Sequence, residues 1–374
     1  MIIQHPMLWC AVALMAGIAV GLNFPSTLCL PLLVAVFVAC YLTRKTRHLH
    51  DVLALLVWGL LGCSRASIGD GRGIIEDGKV KIENGVASVQ SALTARLERS
   101  GVSPRTLALC SALVVGRKDG LKRETRQAYN RAGAGHLLAL SGMHLGIIYG
   151  LMYLVFIRLV RFSKWRWHAL PLVLLALWGY TLVAGMPVSL VRAALMLSLM
   201  TAFSLMEYDT DSLHPLALAA IIVLLISPRT LLSVSFQLSF TAVFFILALW
   251  RPLSDKFRGA NWAVRLLMVS CIASFGTMPL VAYYFHQVSL VGPFFSLILI
   301  PLTTVIIYLT IAAMVLPVAP LGTLLNCAEA IQNKVVGLAG SIPGGVLTDV
   351  YPGKLSVALV YSVMLVAIVR FRSR

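Results

Sequence analysis

The sequence predicts an all-α fold, a polytopic bundle of membrane helices with about ten to eleven spans and amphipathic surface helices. Three observations predict it. Hydrophobic residues make up 59% of the 374-residue chain and charged residues 12%, whereas about a quarter of a soluble domain is charged. Mean hydropathy is +0.89. Apolar runs approaching the length of about 20 residues that hydrocarbon requires recur along the chain. The formal charge of +17, from 31 basic and 14 acidic residues, suits an anionic lipid surface or a polyanionic ligand.

Taken in order, residues 1–63 hold three N-terminal spans, at 7–22, 28–42 and 52–63. The first has no basic leader and a second apolar run follows at once, so it reads as a retained span and not a signal peptide. Arg44, Lys45 and Arg47 fill the loop between the second and third runs, which puts that loop in the cytoplasm. Residues 64–134 are an extracytoplasmic loop followed by basic amphipathic helices. The stretch around Gly69 to Gly85 is Gly-rich and too short for an independent core. From Val86 the period turns helical, with Pro104 as a break. In residues 117–131, Arg117, Lys118, Lys122, Arg123, Arg126 and Arg131 stand against Asp119 and Glu124. This outer basic collar fits lipid headgroups as well as a polyanion.

Residues 135–374 carry the remaining runs, at 135–160, 170–184, 188–206, 215–226, 231–250, 262–285 and 294–316, an amphipathic segment at 321–338 and a last run at 355–369. Basic loops at 158–166 and 251–265 fall on the cytoplasmic side when the spans alternate. The acidic loop 207–211 falls there too, which the rule tolerates because acidic residues count little in it. Alternation sends the C-terminal tail outside, whereas Arg370, Arg372 and Arg374 argue for inside. No internal repeat is visible.

Polar groups are costly in a span and mark function by default. Residues 133–153 read as one membrane helix carrying His136, Ser141 and His144. At 100° per residue Ser141 and His144 are about 60° apart, and the two histidines about 80° apart, so the three share a broad face. Arg192 follows the helix opening Gly185-Met186-Pro187 and cannot lose its charge. Gln237 stands out in the run Ser235 to Ser239, while His286 and Gln287 close a later span. Such groups line a wet path or bond between helices as glue.

Other chemistries fit less well. Ala139-Leu140-Ser141-Gly142 resembles the Gly-x-Ser-Gly of intramembrane serine hydrolases, but the first glycine is alanine and a same-helix His144 is not expected to face Ser141. His48-Leu49-His50-Asp51 lacks the remaining ligands of a dinuclear zinc signature. The seven cysteines form no CxxC pair and most sit in apolar runs. No catalytic residue, metal or cofactor is called for, which leaves a channel or an anion or small-molecule transporter ahead of the hydrolase.

Several blocks together carry a family resemblance. They are Ala112-Leu113-Val114-Val115-Gly116-Arg117, Tyr129-Asn130-Arg131-Ala132-Gly133, and His136 through His144. Val191-Arg192-Ala193-Ala194, Ser235 through Phe240, Thr277-Met278-Pro279 and Phe285 through Ser289 follow in order. The chain resembles the competence domain of the ComEC/Rec2 type of DNA-uptake channel proteins, over roughly residues 105–301. Members of that family often carry an OB-like extracellular domain and a metallo-β-lactamase-like domain. Here the first is reduced to the Gly-rich loop, and the chain ends at Arg374 before the second.

The resemblance therefore implies the channel part, with residues 135–374 as a competence-type channel domain. Its implied role is an inner-membrane channel passing single-stranded DNA into the cytoplasm during natural transformation. The collar would gather phosphates. His136, Ser141, His144, Arg192, Gln237, Ser239 and His286 would line the path, with Tyr149, Tyr153 or Phe240 free for base stacking. Expected partners are single-stranded DNA, membrane lipid, and a separate DNA receptor, nuclease and cytoplasmic motor. Oligomeric state is left open.

Overall fold

The computed structural model describes residues 6–21, 76–117, 120–138, 140–159, 166–205, 213–257 and 259–372. The expected spans 28–42 and 52–63, the basic loop 44–47, His48 to Asp51, Lys118, Ala139 and the acidic loop 207–211 lie outside those residues.

The described chain is nearly all helical. In chain order the helices are α1 (Pro6–Gly21), α2 (Glu76–Glu98), α3 (Pro104–Cys110), α4 (Arg123–Arg131), α5 (Gly142–Leu159), α6 (Arg166–Val183), α7 (Val188–Leu205) and α8 (Leu213–Ile226). They continue as α9 (Val234–Lys256), α10 (Trp262–Phe285), α11 (Gly292–Val315), α12 (Ala319–Ser341) and α13 (Lys354–Arg372). Three of them, α9, α10 and α11, are long and apolar enough to cross a membrane. Shorter apolar helices lie within α1, α3, α5, α6, α7 and α8.

Two expectations change. The helix α2 starts at Glu76 and runs through Gly78 and Gly85, inside the stretch read as a Gly-rich loop. The single helix expected over residues 133–153 is broken: α4 stops at Arg131, a 3-10 turn occupies Gly135–Leu138, and α5 starts only at Gly142. The break begins with a glycine cap. Gly133 takes φ 69°, its N–H donates to Asn130 O at 3.0 Å, and Ala134 N–H donates to Tyr129 O at 2.8 Å. Both bonds satisfy end carbonyls that a left-handed residue alone can reach.

A two-stranded antiparallel ribbon, β1 (Gln287–Ser289) with β2 (Val346–Thr348), pairs Gln287 with Thr348 and Ser289 with Val346. Contacts divide the chain into two units, Met1–Glu76 with Leu195–Ala248, and Asp77–Ala194 with Leu249–Arg374. In the first, Leu14 and Ile18 of α1 are buried with Ala219, Ile221 and Leu224 of α8 and Phe236 of α9. In the second, Leu113, Val115, Leu137, Ile148, Ile306 and Leu325 share one core. Burial of apolar area drives both at about 25 cal/mol per Å² where water is the alternative.

Candidate functional site

Within the second unit, segments far apart in sequence meet at one junction. The chain after α3 makes a single π turn, Ser111–Val115, closed by Gly116 at φ 88° whose N–H reaches Ser111 O. Such turns concentrate where backbone is shaped for function. A Cβ at Gly116 would lie 2.8 Å from Leu140 Cδ1 and 2.9 Å from Ala184 O, so only glycine lets the three segments touch.

Side chains lock the same place. Gln90 of α2 donates through Nε2 to Val115 O at 3.1 Å and to Val183 O at 2.9 Å. Tyr180 of α6 donates to Val114 O at 2.9 Å, and Ser189 of α7 donates to Leu140 O at 2.8 Å. Each bond satisfies a carbonyl that its own helix or turn leaves exposed. The α6 end repeats the glycine cap, with Gly185 N–H on Leu182 O and Met186 N–H on Thr181 O, both at 2.9 Å. Pro187 then redirects the chain into α7.

At the start of α5 the structure overturns one expectation. Ser141 is not inside a helix but caps it, and Ser141 Oγ lies 2.8 Å from His144 Nδ1. Ser141 N–H also donates to Nδ1 at 3.3 Å. The ring faces Ser141 because a residue three positions into a helix folds back over its cap, the arrangement of a capping box with imidazole in place of carboxylate. Since Nδ1 accepts from a backbone N–H, the neutral ring carries its hydrogen on Nε2. That Nε2 is buried without a hydrogen-bond partner, and His144 is 0% exposed.

The imidazole of His136, on the 3-10 turn, is exposed and lies within electrostatic range of His144. Arg192 is buried, and Gly142 abuts Ala193 beside it. A charged guanidinium held out of water costs several kcal/mol unless bonded or matched by an anion. His136, Ser141, His144 and Arg192 thus all belong to the segments that form the junction.

The other sequence candidates sit elsewhere. Gln237, in the first unit, lies in the first turn of α9 and donates to Leu231 O at 3.1 Å, and Ser239 donates to Phe236 O at 3.2 Å. Phe240 is buried with its ring 4.3 Å from Phe236, so it is not free for a base, contrary to expectation. Tyr149 and Tyr153 lie on one face of α5 with ring centres 6.0 Å apart. His286 caps α10 in the left-handed region.

Of the collar, Arg117, Lys122, Arg123, Arg126 and Arg131 are exposed. Its helix α4 is docked by Tyr129, which is fully buried. Burial and the nearby Glu329 carboxylate push the Tyr129 hydroxyl far above the usual phenol range. Burial likewise raises Glu329, opposed by Asn333 and Arg105. Gln332 of α12 donates to Thr303 Oγ1 of α11 at 3.2 Å in the same buried region. Sequence reading missed Gln90, Tyr180 and Tyr129 as organising residues. None breaks a hydropathy pattern, and their roles depend on partners distant in sequence. Among the described residues, no group of three or more His, Cys, Asp or Glu gathers as a metal site would require.

Comparison with known proteins gives the same regions a family. A family model described as Competence protein matches residues 113–374. The chain is 35% identical over 202 residues to ComE operon protein 3 of Bacillus subtilis, covering 54% of this chain and 25% of that protein. It is 28% identical over 220 residues to Recombination protein 2 of Haemophilus influenzae, covering 52% and 27%. It is 31% identical over 191 residues to an uncharacterized protein of Aquifex aeolicus, covering 51% and 42%. The alignments thus span a quarter to under half of the length of these relatives. No solved structure matches the chain. The matched residues hold the end of the π turn with Gly116, both glycine caps, the Ser141–His144 cap and Arg192, and the chain belongs to the Competence protein family.

Proposed function

We propose that this chain is a multi-pass inner-membrane protein of about ten to eleven spans that passes single-stranded DNA into the cytoplasm during natural transformation. The observation that carries the reading is the junction. Blocks typical of the family, separated by tens of residues, meet where Arg192 and His144 are buried, in the unit whose helix α4 and its N-cap expose Lys122, Arg123, Arg126 and Arg131. The exposed cations raise the local concentration of a polyanion and release its counterions. Phosphates bind a guanidinium or imidazole more strongly in a low-dielectric surround than in water, and because Arg192 and His144 are buried, the junction would open for the strand to reach them. His136 offers an exposed donor beside them. Membrane lipid, a separate DNA receptor, a nuclease and a cytoplasmic motor complete the proposed system.

Replacing Arg192 with Ala is expected to drop internalisation of labelled DNA in a transformable host to background, with the protein inserted at normal abundance. Uptake at the unsubstituted level would remove Arg192 from the path. A second reading, Ser/His hydrolysis, draws on the 2.8 Å contact of Ser141 with His144, and it alone requires Ser141 to react with a serine-directed probe.

A further inference from the structure

The ribbon β1/β2 carries a feature that neither the junction nor the collar uses. Helix α10 ends at Phe285, and His286 takes φ 56°, a left-handed conformation uncommon for a residue with a side chain. Asp349, just past β2, takes φ 63°. Val350 N–H donates to His286 O at 3.1 Å, extending the ribbon beyond the Gln287–Thr348 pair. Two left-handed residues at the same end of the ribbon bring the His286 and Tyr351 rings to 4.4 Å between centres, tilted by 33°. Strained backbone of this kind persists where its surroundings over-determine it.

The stacked pair is not core. Tyr351 is 69% exposed and His286 is exposed as well, so ring surface remains open beyond the face they share. The ribbon also sits beside the collar. Ser289 of β1 lies against Gly133, the cap of α4, so closely that a Cβ there would collide with its hydroxyl. Arg131 lies against Gly340 near the end of α12, a few residues before β2. Exposed Lys354 follows Tyr351 by one turn of chain. A cationic track next to an open aromatic stack is the pair of ingredients by which proteins hold single strands without reading sequence.

We propose that His286 and Tyr351 form a base-stacking platform for single-stranded DNA drawn in along α4. The proposal rests on the DNA reading above and adds the surface that takes the bases. Phosphates stay with Arg131, the other α4 cations and Lys354, away from the exposed Asp349 carboxylate. A tyrosine serving only as an interfacial lipid anchor needs neither a stacking partner nor two left-handed residues to aim it.

The test uses the full chain in nanodiscs of neutral lipid, with fluorescently labelled oligothymidylate and an abasic strand of equal length. The unsubstituted protein is expected to bind the base-containing strand more tightly than the abasic one. Tyr351→Ala should weaken the first by roughly five- to a hundredfold, the worth of one stacked base, and leave abasic binding unchanged. Tyr351→Phe keeps the ring and should restore the preference. Equal binding of oligothymidylate by Tyr351→Ala and the unsubstituted protein overturns the platform alone, provided neutralising Lys122, Arg123 and Arg126 still weakens both strands. Loss of membrane insertion in Tyr351→Ala with DNA binding intact assigns the ring to lipid and also overturns it. If the unsubstituted protein binds neither strand, the DNA reading falls and the platform with it.

Discussion

Two polar stretches of the chain look alike in sequence and behave differently in structure. The junction is joined by bonds that cross 93, 66, 49 and 25 residues, from Gln90 to Val183, Tyr180 to Val114, Ser189 to Leu140 and Gln90 to Val115. Around α9, Gln237 donates to a carbonyl six residues back, and Ser233 and Ser239 donate three residues back. The second pattern is what any helix start in an apolar run needs, since its orphan groups must bond nearby. The first ties together five segments, α2, the π turn, the residues at Leu140, the end of α6 and the start of α7. A polar residue among leucines is therefore informative chiefly through the sequence distance of its partner.

The largest expected break in that contrast comes from Gly116→Ala. The left-handed φ costs about 1–2 kcal/mol for a residue with a Cβ, and the methyl would meet Ala184 O at 2.9 Å. A total loss of about 3 kcal/mol or more is expected, read as a lower unfolding temperature of the detergent-solubilised chain together with loss of DNA uptake. Normal stability in this variant would show that the three segments need not touch.

Next in size, Gln90→Ala strips both Val115 O and Val183 O of their shared donor. About 1–3 kcal/mol is expected for leaving such acceptors unsatisfied. Ser233→Ala, read in the same urea or thermal unfolding experiment, is expected to cost about 0.5–1.5 kcal/mol for the hydroxyl that donates to Thr230 O at 2.7 Å. Equal losses at the two positions would erase the distinction between cross-segment and local bonding.

The apolar helices were legible because continuous hydropathy leaves little choice. Runs at 262–285 and 294–316 correspond to Trp262–Phe285 and Gly292–Val315, and 188–206 to Val188–Leu205. The break between α4 and α5 was not legible, because leucines continue through Leu137, Leu138 and Leu140 and hide it. Its cause is local and small: Gly133 capping one helix and Ser141 with His144 capping the next. The ribbon β1/β2 was invisible for another reason, since three-residue strands nearly sixty positions apart leave no periodic signal. Arg192 and the histidines could be picked out as costly groups, but Gln90, whose partners lie on two other segments, could not.

The smallest effect distinguishes what Ser141 is for. If it is a cap, Ser141→Ala removes the 2.8 Å bond to His144 Nδ1 while the backbone N–H bond at 3.3 Å survives. The cost is then about 0.5–1.5 kcal/mol, the net worth of one ordinary hydrogen bond, and Ser141→Asp does not recover it because a carboxylate has no proton to give Nδ1. DNA uptake stays near normal in both variants. Ser239→Ala, whose hydroxyl donates back to Phe236 O, should fall within about 0.5 kcal/mol of the unsubstituted protein. A nucleophilic Ser141 makes the opposite forecast: Asp and Ala fail equally, stability is untouched, and a serine-directed probe labels the protein. The capping geometry favours the first outcome, because a hydroxyl and a backbone N–H that converge on one ring nitrogen hold that ring in place over the helix end.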